Sequence, residues 1–83
     1  MKIIKIGAVW CPACIITGNR LEKLKEKYDF ELVNLDCDID DISEYHPDNI
    51  LPSLIFFKDD KEVERLVGEK SIEQIEEVIK KYE

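Results

Sequence analysis

The sequence predicts an α/β fold, a four-stranded mixed sheet flanked by three helices in the order β-α-β-α-β-β-α. Three observations predict it. A nearly continuous β-branched apolar run, Ile3 to Val9, gives way at once to apolar residues spaced three and four apart. Two further strand-like runs, Ser53 to Phe57 and Val63 to Val67, are separated by the polar turn Lys58 to Lys61, which reads as a hairpin. Near the end, Ser71 with Gln74 three residues on is a capping box that opens an amphipathic tail.

Each element has its own signal. Ile3 to Val9, broken only by Lys5, reads as a buried, central strand. From Cys11 to about Tyr28, the residues Cys14, Thr17, Leu21, Leu24 and Tyr28 form one helix face, while Glu22, Lys23, Lys25 and Glu26 mostly fill the other. Pro12 suits the first turn, where no N–H is needed, and Gly18-Asn19 predicts a bend or soft point. Phe30 to Leu35 is the second strand, and the acidic stretch Asp36 to Asp41 is loop. Asp40 or Asp41 can cap a short helix running through Tyr45 and stopped by Pro47. In the last helix, Ile72, Ile75, Ile79 and Tyr82 form the core stripe. The first crossover is long enough for a parallel βαβ unit, and helices are expected on both faces of the sheet.

Composition narrows the function. Eighty-three residues make one domain, 1–83, with a modest core. At 45% apolar residues, with three Gly and three Pro, the chain is neither disordered nor fibrous. Nineteen acidic against twelve basic side chains give a net charge of −7, which disfavours nucleic acid and anionic lipid as partners. No apolar run approaches the roughly 20 residues of a membrane span. The opening Met1 to Ile6 faintly mimics a signal peptide, but Lys5 interrupts it and Trp10-Cys11-Pro12 occupies the place of a small-residue cleavage site. A cytoplasmic, monomeric protein is therefore expected. Three cysteines are an odd number for a disulfide-stapled miniprotein, and close thiols in a reducing compartment point to metal or redox chemistry.

The chemistry concentrates in Trp10-Cys11-Pro12-Ala13-Cys14, at a strand-to-helix junction. Positions three apart share a helix face, so the two sulfurs can meet. Cys11 falls at the helix N-terminus, where free N–H groups and the dipole favour an anion and lower a thiol pKa from ~8.5 to between about 3.5 and 7.5. Cys14, one turn in, is the internal partner. Two thiols that merely fill space are the plainer alternative, and the flanking Trp and Pro weigh against it.

Three separated features then match in register: this Cys-x-x-Cys segment, Leu51-Pro52-Ser53 opening the third strand, and Val67-Gly68 after the fourth. On them the chain resembles the thioredoxin–glutaredoxin superfamily of thiol–disulfide oxidoreductases over nearly its whole length. The resemblance implies a thioredoxin-like fold and a cis Pro52 facing the cysteine pair. It implies that Cys11 attacks a partner's disulfide and Cys14 resolves the mixed disulfide, with protein disulfides as substrates and an upstream disulfide reductase as electron source. It implies no cofactor beyond the Cys11–Cys14 pair. Leu51 would offer its backbone to substrate as an added strand. Val9, Trp10, Pro12, Leu51, Val67 and Gly68 would form an apolar contact surface around the sulfur, with Ala13 inside the motif supporting it. Gly68 suits either close approach of a partner backbone or a turn.

Departures from the family pattern are informative. Thioredoxins usually carry a buried acid six residues before the first cysteine, and here that position is Lys5. A cation near Cys14 would favour its thiolate but could not act as a carboxylate base; the expectation is that Lys5 reaches solvent or pairs with an acid. Pro12-Ala13 has the Pro-first order of glutaredoxins, yet Glu69-Lys70-Ser71 lacks their Gly-(Cys/Gly)-x-Asp-like glutathione segment. Protein disulfides are thus expected over glutathione adducts. The rival from another class is a redox-inert or zinc-binding module using Cys11, Cys14, Cys37 and His46, a Cys₃His inventory that zinc accepts but whose spacing is unlike a zinc knuckle. Cys37 reads as a buried or half-buried small residue rather than a third redox partner, His46 as the end of the short helix, and no metal site is assigned.

Overall fold

The computed structural model describes residues 1–83. Its elements are β1 (Lys2–Gly7), α1 (Pro12–Lys25), β2 (Glu31–Asp36), a 3₁₀ turn (Ser43–Tyr45), β3 (Ser53–Lys58), β4 (Lys61–Val67) and α2 (Ile72–Tyr82). The sheet order is β2-β1-β3-β4. β1 is central as expected, parallel to β2 (Ile4 beside Val33) and antiparallel to β3 (Ile4 beside Ile55). β3 and β4 form the hairpin, with Asp59 and Asp60 both left-handed (φ 54° and 64°), the backbone of the tight turns that match strand twist.

Two of the expected features differ. The fold has two α-helices, not three, because the segment before Pro47 makes only a 3₁₀ turn. Asp40 is committed elsewhere, its Oδ2 accepting the Asp36 N–H at 2.8 Å, and Asp41 Oδ1 accepts from Ser43 N–H and Oγ–H in a local turn. Ile42 stands at the cap without a side-chain bond, and His46 is left-handed (φ 49°), so too few residues remain to repay helix nucleation. Nor do α-helices cover both faces. Leu21 and Leu24 of α1 and Ile75, Val78 and Ile79 of α2 all pack into one core with Ile3, Leu54 and Phe56. The other face, centred on Ile4, Ile6 and Ile55, is covered by Ile42, Tyr45 and Leu51 from the irregular 37–52 connection.

Boundaries moved as well. β1 stops at Gly7, leaving Val9 and Trp10 in an exposed turn, and β4 begins at Lys61. α1 ends at Lys25 rather than Tyr28, and it passes Gly18-Asn19 as uninterrupted α-helix. The capping box of α2 is formed: Ser71 Oγ accepts from Gln74 N–H at 3.1 Å, and Gln74 Oε1 accepts from Ser71 N–H at 2.9 Å. This arrangement sets the β1–α1 junction at one end of the sheet, beside the start of β3.

Candidate active site

The end of β1 delivers the chain into a turn in which the Cys11 N–H bonds the Ala8 carbonyl at 3.2 Å. Cys11 has extended backbone (φ −100°, ψ 106°) and is the N-cap of α1, with Pro12 just inside. Its Sγ accepts the Cys14 N–H at 3.2 Å, which is how a cap side chain satisfies a free helix donor. No acidic residue lies in the first turn of α1, so nothing there opposes a negative sulfur.

Cys11 and Cys14 are disulfide-bonded, with Cα atoms 5.2 Å apart. Both residues are buried, Cys11 less completely (7% exposed) than Cys14 (1%). With Ala8 they form a small apolar cluster against which Ala13, Cys37 and Leu51 pack. Gly7 makes room for it, since a Cβ there would stand 3.1 Å from both Cβ and Sγ of Cys14.

The expected site residues divide into three groups. Ala13 and Leu51 touch the cysteine cluster directly. The Leu51–Pro52 peptide is cis, and Pro52 is buried with its carbonyl accepting the Gly68 N–H at 2.8 Å. Val67 pairs with Ser53, so Val67 and Gly68 join the site through the β3 start rather than through the sulfurs. Gly68 has φ +86° while the space around it admits a Cβ, so the turn conformation is what requires glycine there. Val9, Trp10 and Pro12 are exposed around the sulfurs.

One residue of this environment went unrecognised in the sequence. Asp38 Oδ2 accepts the Trp10 indole N–H at 2.6 Å and so anchors the exposed ring across 28 residues of chain. The acidic run Asp36 to Asp41 carried no pattern that could single it out.

The zinc set is not assembled. Cys11 and Cys14 are bonded to each other, while Cys37 gathers with Asp36 and Asp38, not with His46. Burial first, then the charges of Asp38 and Asp36, push the Cys37 thiol above its ordinary pKa, which disfavours its thiolate. His46 ends the 3₁₀ turn, as expected.

Lys5 borders a crevice open to solvent but pairs with no acid. It makes neither ion pair nor hydrogen bond and lies half-buried under α1, its Nζ 3.7 Å from where a Gly7 Cβ would stand and 3.6 Å from a Gly18 Cβ.

A helix-capping sulfur bonded to a buried second sulfur, set on a four-stranded mixed sheet beside a cis-proline, defines a protein of dithiol–disulfide exchange. Comparison with known proteins is specific: the thioredoxin family model matches residues 1–81. The chain belongs to the thioredoxin family, whose members are disulfide oxidoreductases. It is 35% identical over 70 residues to thioredoxin-2 of Saccharomyces cerevisiae, covering 82% of this chain and 67% of the yeast protein. With thioredoxin of Staphylococcus epidermidis it shares 33% identity over 86 residues, 99% of this chain and 82% of the relative. Among solved structures, reduced thioredoxin of Schistosoma mansoni superposes with a TM-score of 0.86 at 30% identity, covering 99% of this chain and 78% of that one.

Proposed function

We propose that this thiol–disulfide oxidoreductase reduces disulfides in other proteins, with Cys11 as nucleophile and Cys14 as resolving thiol. The observation that carries the reading is the Cys11–Cys14 disulfide with the less buried of the two cysteines, Cys11, at the helix N-cap. In the reduced protein, the Cys11 thiolate attacks one sulfur of a substrate disulfide. That S–S bond breaks, a Cys11–substrate bond forms, and the first substrate thiolate leaves. Cys14 thiolate then attacks Cys11 Sγ, expelling the second substrate thiolate and closing the bond seen here. The substrate gains two electrons and the protein pair loses two, to be restored by a disulfide reductase.

The remaining parts of the reading have physical support. Val9, Trp10 and Ile50 are large apolar side chains left exposed near the sulfurs and the cis-proline, a surface suited to a partly unfolded polypeptide. Leu51 packs against the cysteines, which supports the reading that its backbone pairs with an extended substrate segment. A free, protonated Cys37 suits a reducing compartment such as the cytoplasm, and monomeric action needs nothing from a second copy. The dithiol itself is the redox group, so no separate cofactor is called for.

The test is turnover of insulin disulfides with dithiothreitol as electron donor. Cys11→Ser should abolish the accelerated reduction, whereas Cys14→Ser should trap a covalent substrate adduct that dithiothreitol releases. Unchanged turnover in Cys11→Ser would overturn the assignment.

A further inference from the structure

Behind the disulfide, Lys5 of β1 stands in a crevice of about 270 Å³, whose wall also includes Gly7, Cys14, Asn34, Asp36 and Asp40. Because the Lys5 Nζ and the Cys14 Sγ lie 3.7 and 3.1 Å from the same point at Gly7, they are within about 7 Å of each other, close enough for appreciable interaction in a protein interior. The crevice is open to solvent, and Lys5 is the one cation on its wall.

Resting on the oxidoreductase reading, we propose that the Lys5 ammonium is the counter-charge of Cys14, favouring its thiolate and so promoting both resolution of the mixed disulfide and the reduced state. Lys5 acts through Cys14 as a positioning residue. When the mixed disulfide forms, Cys14 loses its proton to solvent through the crevice and its thiolate attacks Cys11 Sγ. The Cys11–substrate bond breaks, the Cys11–Cys14 bond forms, and the substrate thiolate leaves with the electron pair. No further oxidant or reductant enters this step.

The surroundings favour this role. In the oxidised protein the ammonium is half-buried without an anion, and burial lowers its pKa from the ordinary lysine value. A thiolate at Cys14 would supply the missing partner. The other charged groups facing the crevice are Asp36 at the end of β2 and Asp40 beyond it, while α1 presents none. Both carboxylates are engaged by loop N–H groups, Asp36 with Asp38 and Asp40 with Asp36, each at 2.8 Å, and neither pairs with Lys5. Their charges oppose the thiolate from the crevice wall, which leaves Lys5 as the group that offsets them.

Lys5→Gln and Lys5→Met both remove the charge and retain much of the chain, so either tests the idea if the other folds poorly. Each should raise the Cys14 pKa by about one unit, a tenfold loss of thiolate at neutral pH. Since nucleophilicity rises with thiol pKa, release of substrate from the mixed disulfide should slow by only about threefold. Reduction potentials measured in dithiothreitol buffers from pH 6 to 10 give the decisive readout. The variants should match the natural protein at low pH, where Cys14 is protonated in both, and become more negative above the Cys14 pKa by up to the tenfold equivalent of about 30 mV. Superimposed or parallel potential curves would overturn the role of Lys5. Failure of the unmutated protein to reduce insulin would instead sink the oxidoreductase reading itself.

Discussion

Gly7 shows how closely the site depends on single atoms. It is the last residue of β1, fully backed by Cys14, and a Cβ at its position would come within 3.1 Å of two Cys14 atoms. The disulfide pins Cys14 and leaves it little room to turn aside. Gly7→Ala should therefore cost about 1–3 kcal/mol of stability, the usual penalty for overfilling a packed interior. Denaturant unfolding checks this, and the loss should be larger for the oxidised than for the reduced protein; equal stability of variant and parent would show that the cluster can expand. By contrast, Gly18 sits where a Cβ would meet only the Lys5 side chain at ordinary contact distance, so its identity matters little to packing. Two glycines of one site thus carry quite different constraints, which distances separate and sequence does not.

At the scale of elements, the irregular 37–52 connection does the work of a missing helix. Arg65 of β4 holds it: the guanidinium donates to the carbonyls of Tyr45 at 2.6 Å and His46 at 2.9 Å, and is itself flanked by Glu62 and Asp48. Those carbonyls close a 3₁₀ turn that has no continuing helix to satisfy them. Arg65→Met should lower stability by about 2 kcal/mol, and Arg65→Lys should recover little of it, because an ammonium lacks the fork that reaches two carbonyls and a carboxylate together. Thermal unfolding of the three proteins measures this, and a full rescue by lysine would show that charge alone suffices. No pattern in the sequence tied Arg65 to residues 45 and 46, since the contact crosses the fold. The elements with strong local signals were legible: the Ser71–Gln74 box and the Cys11–Cys14 junction fall where spacing and chemistry placed them, and the β1 run and the hairpin are present with shifted ends. The third helix failed because Asp41 and Asp40, good caps on paper, bond within their own loops. For Lys5 the sequence offers only a strand lysine that snorkels or pairs; the fold adds that its amine lies beneath α1, beside a crevice open to solvent.

For the whole molecule, the decisive fact is that α1 and α2 share one face of the sheet and must be held side by side there. Polar ties at two levels assist the shared core. Arg20 of α1 donates to the Lys70 carbonyl at 2.7 Å and pairs with Glu69, which fixes the segment between Gly68 and α2. Beyond the end of α1, the Tyr28 hydroxyl donates to Glu76 of α2 at 2.8 Å, with Lys27 3.6 Å from the same carboxylate. That hydrogen bond is the main cause holding the Glu76 pKa below its ordinary 4.5, and the nearby Lys27 and Lys80 charges add to it. A folded-state pKa below the unfolded one means that the unfolded chain binds the proton first. The contribution of Glu76 is therefore complete at neutral pH and is lost as pH falls from the ordinary value through the depressed one. Asp41, lowered by its bonds from Ser43, behaves in the same sense. Melting temperatures followed from pH 7 down to pH 3 should show the parent above Glu76→Gln at neutral pH and the two converging in acid. A constant gap across that range would mean that Glu76 acts by packing alone and that the two helices are held together without its charge.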